Sequence, residues 1–322
     1  MSQLRKFFRF SGVIFFVITL GLSLYLGAAQ AQQSNESKVL RIGYQKYGTL
    51  NLLKAKGNLD SKLKAKGISV QWTLFPAGPQ ILEALNAGSV DLGSTGEAPP
   101  IFAQAAGAPL VYLGHEPSNP KGEGILVRKD LPIKTVADLK GKKIALNKGS
   151  NVHYFLVKAL ESAGLKYSDV NVVYLKPADA RPAFEQGSVD AWAIWDPFYT
   201  SAKRALQARI IKDGQGLVAN REFYLASRDL VKQYPDRIKI LLEELNRVDS
   251  WARANPTQVA ELLSPQLGID VPTLKEITVS RPYGVNHPLK SDVINYQQSV
   301  ANVFFKLGLI PKNINVKDAV LK

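Results

Sequence analysis

The 322-residue sequence contains no cysteine, one methionine and three histidines. Without cysteine there is no disulfide, no zinc–thiolate cluster, no haem-attachment motif and no cysteine nucleophile. The histidines His115, His153 and His287 are scattered, which argues against a His-rich metal site. There is no G-x-S-x-G elbow, H-E-x-x-H helix, Walker A loop or S-x-x-K set. Gly214-Gln215-Gly216-Leu217-Val218-Ala219 imitates a dinucleotide fingerprint, but no helix pattern follows it. No cofactor is therefore expected. Low-complexity composition is absent too: Gly 24 and Pro 18 are ordinary, and 46% hydrophobic residues exclude a disordered chain. The length suits about two domains, each able to bury a core.

The charge is one-sided. Lys+Arg number 41 against 27 Asp+Glu, a formal net charge of +14. The bases are spread along the chain, and no basic helix, RNP motif or Cys/His finger accompanies them, so nucleic acid is not an expected partner. Arg5, Lys6 and Arg9 precede an uncharged apolar run from Phe10 to Gly27, then the small-x-small site Ala29-Gln30-Ala31. This is the layout of an export signal over 1–31, cleaved after Ala31. The run is 18 residues, near the lower limit for a membrane span, but the A-x-A site and the polar QQSNES stretch favour cleavage. Removal takes away three bases and no acid, so a mature chain of 291 residues carries +11. A basic exported protein suits anionic solutes or surfaces, and solubility alone would also account for it.

Two stretches repeat one layout. Leu40-Arg41-Ile42-Gly43-Tyr44-Gln45-Lys46 matches Lys143-Ile144-Ala145-Leu146-Asn147-Lys148, with Ile42 over Ile144 at an offset of 102. Ala84-Leu85-Asn86-Ala87-Gly88-Ser89-Val90-Asp91 matches Ala183-Phe184-Glu185-Gln186-Gly187-Ser188-Val189-Asp190 at an offset of 99. Each half alternates strand and helix, which predicts a mostly parallel sheet covered on both faces. Strand patterns are expected at 40–44, 68–75, 90–93, 143–146, 170–175 and 191–195, and helices at 50–65, 79–86, 152–162 and 180–186. The fold class is α/β with two lobes. If the strands at 124–130 and 222–229 cross between them, the first lobe is 38–124 with 226–322 and the second is 125–225. Two crossings make a hinge, and a hinge makes a cleft.

Ligands of open α/β sheets sit beyond the carboxyl ends of the strands. The loop Gly93-Ser94-Thr95-Gly96-Glu97 follows a strand and opens a helix, so its free N–H groups and the Ser94 and Thr95 hydroxyls can hold an anion. The same residues also serve as plain caps and turns. In the second half Ser150 reads as an N-cap, with Asn151 and His153 in the first helical turn. His153 can donate to an anion or simply shield the helix end. Trp195 and Asp196 end the duplicated strand; the Trp can wall an apolar tail, and the Asp precedes Pro197 as turn formers do. Trp192 reads as core. Gln45 ends the first strand, aimed at the cleft or solvated. The residues thus describe an exported two-lobed protein that binds a small anion. An exported enzyme would need a base and a nucleophile in the cleft, where His153 is the only candidate base with a near-neutral reference pKa. A transcription-factor effector module would need a DNA-binding helix pair where the export signal stands.

The blocks IGYQK, FPAGPQ (75–80), EALNAGSVDLGSTGEAPPIFAQAAGA (83–108), KTVADLKGKKIA (134–145) and PADARPAFEQGSVDAWAIWDPFY (177–199) closely resemble the aliphatic sulfonate-binding proteins of bacterial ABC importers. The match covers the mature chain and weakens after 230. The resemblance implies the type II periplasmic binding protein fold, with capture of an organosulfonate for a permease whose ATPase lies on separate chains. It also implies a periplasmic monomer. Carried over by position, the pocket would use Gln45, Ser94, Thr95, Gly96, Ser150, Asn151 and Trp195 or Asp196. Glu97 stands where Asp is expected, and Asn151 where a second Ser is common. Related proteins for taurine, nitrate or thiamine precursors share the fold. Taurine's ammonium would find a carboxylate in Glu97 or Asp196.

Overall fold

The computed structural model describes residues 38–321. The expected export segment lies outside them. The first half runs β1 (Val39–Tyr44), α1 (Thr49–Lys56), α2 (Asn58–Lys64), β2 (Ser69–Leu74), α3 (Gly78–Asn86), β3 (Leu92–Gly96), α4 (Pro99–Ala105) and β4 (Leu110–His115). The second half runs β5 (Glu123–Val127), β6 (Lys143–Leu146), α5 (Asn151–Ser162), β7 (Asn171–Tyr174), α6 (Pro177–Glu185), β8 (Ala191–Trp195), α7 (Phe198–Ala205) and β9 (Arg209–Asp213). It is followed by β10 (Glu222–Ser227) and the helices α8 (Arg228–Gln233), α9 (Pro235–Ala254), α10 (Pro256–Leu267), α11 (Val271–Ser280) and α12 (Ser291–Lys306). Among the described residues no helix is long and apolar enough to cross a membrane.

The duplication is visible in the sheets. One is ordered β2-β1-β3-β10-β4 and the other β7-β6-β8-β5-β9. In each, three parallel strands are followed by one antiparallel strand that arrives after a crossing. β5 pairs only within the second sheet and β10 only within the first. The crossings therefore fall in the loops 116–122 and 214–221, just ahead of the expected points. The segments that connect the sheets lie outside both ladders, so the crossings expected as strands are loops.

The repeated Gly-Ser-Val-Asp motif has a structural cause. Asp91 accepts from the Arg41 backbone N–H at 2.7 Å, and Asp190 accepts from that of Lys143 at 2.8 Å. Each carboxylate satisfies the free donor at the start of the neighbouring parallel strand. The expected helix over 50–65 is two helices. Gly57, at φ 68, is the left-handed C-cap of α1 and opens α2.

Both sheet faces are buried, as parallel strands require. Along β8, Ala191 and Ala193 point into a core shared with α5 and α12, while Trp192 and Ile194 point into the opposite one with Phe184 and Tyr199. Trp192 is 1% exposed, the core role expected for it. A further core joins Leu40 and Ile42 of β1 to α1, α2 and α9–α11. Phe304 of α12 packs on Phe102 of the first half and on Tyr154 of the second, with centroids 4.8 and 5.9 Å away.

Candidate functional site

A cavity of about 70 Å³ lies between the two sheets. It is lined from the first half by Gln45, Tyr47, Gly78, Gly96 and Pro99, and from the second by Ser150, Asn151, Trp195 and Asp196. The crossing loops add Glu116, Pro117, Asn119, Gly122 and Asn220; Glu222 opens β10, and Arg281 follows α11. Most of these residues stand at carboxyl ends of parallel strands, where topology places ligands.

Of the ten residues singled out in the sequence, six line the cavity: Gln45, Gly96, Ser150, Asn151, Trp195 and Asp196. Ser94, Thr95, Glu97 and His153 lie behind the wall. Ser94 is 4% exposed, and its carbonyl accepts from Gln45 Nε2 at 3.3 Å. Thr95 Oγ1 donates to the Gly96 carbonyl at 3.0 Å. Glu97 accepts from the Arg221 N–H at 3.2 Å and from the Tyr296 hydroxyl at 3.0 Å, and burial pushes its carboxyl up to about 7.

His153 faces away from the cavity. Its Nδ1 accepts from the Gly149 N–H at 3.1 Å, which places the proton on Nε2, 2.8 Å from the Tyr167 hydroxyl. Burial, and secondarily the charge of Lys148, lowers its pKa to about 4. It is a neutral ring packed on Phe102 and Phe304, with no free donor for an anion. Ser150 also departs from expectation. Its hydroxyl donates to the Asn147 carbonyl at 2.6 Å and does not cap α5. The N–H groups of the first turn are left uncapped by that side chain.

Asn151 ties the halves together. Its Oδ1 accepts from the Ala98 N–H at 3.3 Å, and its Nδ2 donates to Asn220 Oδ1 at 2.6 Å. Asn220 Nδ2 in turn donates to the Asn119 carbonyl at 2.8 Å. This amide chain runs from the first lobe's loop through α5 to both crossing loops. Asn220 holds a left-handed φ of 49, a conformation asparagine tolerates better than most residues. The chain closes only because residue 96 is glycine: a Cβ there would sit 2.0 Å from Asn151 Oδ1.

The pole beside Arg281 carries charge. Arg281 Nη2 donates to Glu116 Oε2 at 2.5 Å. Glu116 Oε1 also accepts from the Tyr224 hydroxyl at 2.7 Å and meets Thr49 Oγ1 at 2.9 Å. Thr49 Oγ1 lies 2.8 Å from Asp249 Oδ1 as well. One hydroxyl proton cannot serve both carboxylates, so a proton on Asp249 completes the set; burial and then Glu116 push Asp249 up to about 7. Burial, reinforced by Glu116, raises Glu222 to about 7, and burial raises Asp196 to about 6. Asp196 Oδ1 accepts from the Thr200 N–H at 3.0 Å.

Tyr47, Glu116, Asn119, Asn220, Glu222 and Arg281 were not singled out from the sequence. All but Glu222, which opens β10, come from irregular segments with no motif, and residue 281 lies where the resemblance has faded. The only signal was the crossing geometry itself, which brings both connecting loops to the cleft.

A model of the NMT1/THI5-like family matches residues 63–259. A protein of Escherichia coli named as an aliphatic sulfonates-binding protein is 45% identical over 299 residues, covering 93% of each chain. The chain belongs to the aliphatic sulfonate-binding protein family. Solved structures agree. The alkanesulfonate-binding protein SsuA of Xanthomonas axonopodis pv. citri, bound to MOPS, superposes with a TM-score of 0.83 at 40% identity, over 88% of this chain and 98% of that one. The periplasmic aliphatic sulphonate-binding protein SsuA of Escherichia coli gives 0.79 at 45% identity, over 88% and 92%. The two-lobed α/β architecture of this chain is that of the sulfonate-binding family.

Proposed function

We propose that this protein is the periplasmic solute-binding component of an ABC importer, which captures aliphatic sulfonates between its lobes and hands them to a membrane permease. The observation that carries the reading is a polar cavity lined from both sheets in a chain 45% identical to an aliphatic sulfonates-binding protein. The first lobe is read as the first sheet with the C-terminal helices, the second as the segment carrying the other sheet.

The chemistry suits the ligand. A sulfonate's three oxygens only accept hydrogen bonds and stay charged at ordinary pH. The first-turn N–H groups of α5 and the cavity's amides are donors, and helix ends favour anions. Trp195, packed edge-on against Phe198 at 6.3 Å, gives an aliphatic tail a flat wall. Closing the lobes removes water from the ion and strengthens each of these bonds. A binding role, not an enzymatic one, is supported by the position of His153, whose ring nitrogens are both engaged behind the wall. The protein is read as a monomer.

Isothermal titration of the mature chain tests this, in a Tris buffer so that no sulfonate buffer competes. The panel is a short and a longer alkanesulfonate, taurine, sulfate and nitrate. Tight binding of alkanesulfonates above the others is expected. Preference for taurine or an inorganic oxyanion would overturn the substrate.

A further inference from the structure

The turn between β6 and α5 is tied at two points. At one, the Asn147 carbonyl is held twice, by the Ser150 N–H at 3.2 Å and by the Ser150 hydroxyl at 2.6 Å. At the other there is a single bond: the buried Gly149 N–H goes to His153 Nδ1 at 3.1 Å. His153 is 0% exposed and its ring is held on every side. Phe102 stacks on it with centroids 6.1 Å apart, and Phe304 lies at 5.5 Å. Nε2 is 2.8 Å from the Tyr167 hydroxyl, which is 3.1 Å from that of Tyr174. The residues that follow Gly149, Ser150 and Asn151, line the cavity.

We propose that His153 is a positioning residue for the ligand cleft: by accepting from the Gly149 N–H, it fixes the turn that sets Ser150 and Asn151 in the cavity wall. The inference rests on the sulfonate-binding reading above. A buried N–H without an acceptor is costly, so a turn deprived of Nδ1 gains by shifting until water reaches Gly149. Binding must then draw the turn back, and affinity falls although no ligand contact has been removed. The Nε2 side has a different task. Tyr167 takes the Nε2 proton, which leaves Nδ1 as the acceptor.

The two ring nitrogens can be tested apart. Asparagine places its Oδ1 where Nδ1 stands, whereas glutamine reaches the position of Nε2. Titration calorimetry with butanesulfonate compares wild type, His153→Asn and His153→Gln. His153→Asn is expected to stay within about twofold of wild type, although it leaves the larger gap beside Phe102 and Phe304. His153→Gln is expected to bind about three- to tenfold more weakly than His153→Asn, the worth of one hydrogen bond. A smaller difference, or tighter binding by His153→Gln, overturns the inference, because a packing role alone favours the larger side chain. If either variant does not fold, nitrogen-15 NMR of the wild type decides, since three histidines give few ring signals to assign. With butanesulfonate bound, the His153 proton is expected on Nε2, with a coupling across the hydrogen bond from Nδ1 to the Gly149 amide nitrogen. A proton on Nδ1, or no such coupling, overturns the inference and leaves the sulfonate reading standing. A wild type that does not bind butanesulfonate overturns the sulfonate reading and this inference with it.

Discussion

Gly96→Ala puts one methyl group at the point where the two lobes touch. The new Cβ would lie 2.0 Å from Asn151 Oδ1, 2.1 Å from Nδ2 and 2.2 Å from Cγ. Residue 96 does not have a positive φ, so alanine meets no backbone strain there. The side chain that must move is Asn151, and moving it breaks the bonds to Ala98 N–H and Asn220 Oδ1. At about 0.5–1.5 kcal/mol net for each hydrogen bond, the closed arrangement loses about 1–3 kcal/mol, or about five- to 150-fold in an equilibrium. Sulfonate affinity should fall by that factor. The melting temperature should change little, because neither residue 96 nor Asn151 belongs to an apolar core. Asn151→Ala removes the obstructing amide, so adding Gly96→Ala to it should cost almost nothing further. Titration calorimetry on the two single variants and the double closes the cycle. Additive losses would refute the claim that glycine is needed at 96 for the sake of Asn151.

Trp195→Ala should weaken long-chain alkanesulfonates more than short ones in the same assay, and equal loss across chain lengths would place the tail elsewhere. Ser150→Ala should cost less than about threefold in affinity, because that hydroxyl donates to Asn147; a loss of about tenfold or more would return the serine to the head group. Stability should fall as pH rises. Glu97, Glu222 and Asp249 are pushed up to about 7 and Asp196 to about 6 by burial, and Glu123 is raised well above its ordinary range by burial and by Glu97. A raised acid stabilises the fold fully below the unfolded carboxylate pKa, and that contribution is lost as pH climbs through the folded value. His153, lowered to about 4, works in the opposite sense and offsets part of the slope below its ordinary pKa. Glu123→Gln removes a fully buried carboxyl with no partner on either oxygen, so it should raise the melting temperature near neutral pH and flatten the slope. An unchanged thermal-melt profile between about pH 5 and pH 8 would contradict this.

The architecture was legible because its signals are local and repeated. The strands over 143–146 and 191–195 coincide with β6 and β8, and the helix patterns at 79–86 and 152–162 fall within a residue or two of α3 and α5. Gly57 was missed as a break because the apolar spacing runs on through it, and only its left-handed φ separates the two helices. β4 and β9 were not read at all. Each stands beside an antiparallel strand from across a crossing, a pairing that local pattern does not encode. In the site, residues at strand ends were found, and those that the crossing loops bring in were not. Ser94 and Glu97 show a second limit: residue type marks a loop as polar, but alternation along β3 and the register against β10 decide which side chains face the cavity. Arg281 had no signal in its surroundings, since its place in the cavity wall is fixed by Glu116 and Tyr47, more than 160 positions away.

The single methionine is Met1 and there is no cysteine, so the chain beyond its first residue contains no sulfur. A crystal of the mature protein grown with butanesulfonate therefore has one source of anomalous sulfur signal, the ligand. Data collected at long wavelength should show one peak per molecule, in the cavity between the two sheets. No peak there at saturating ligand, or a peak outside the cleft, would contradict sulfonate capture between the lobes.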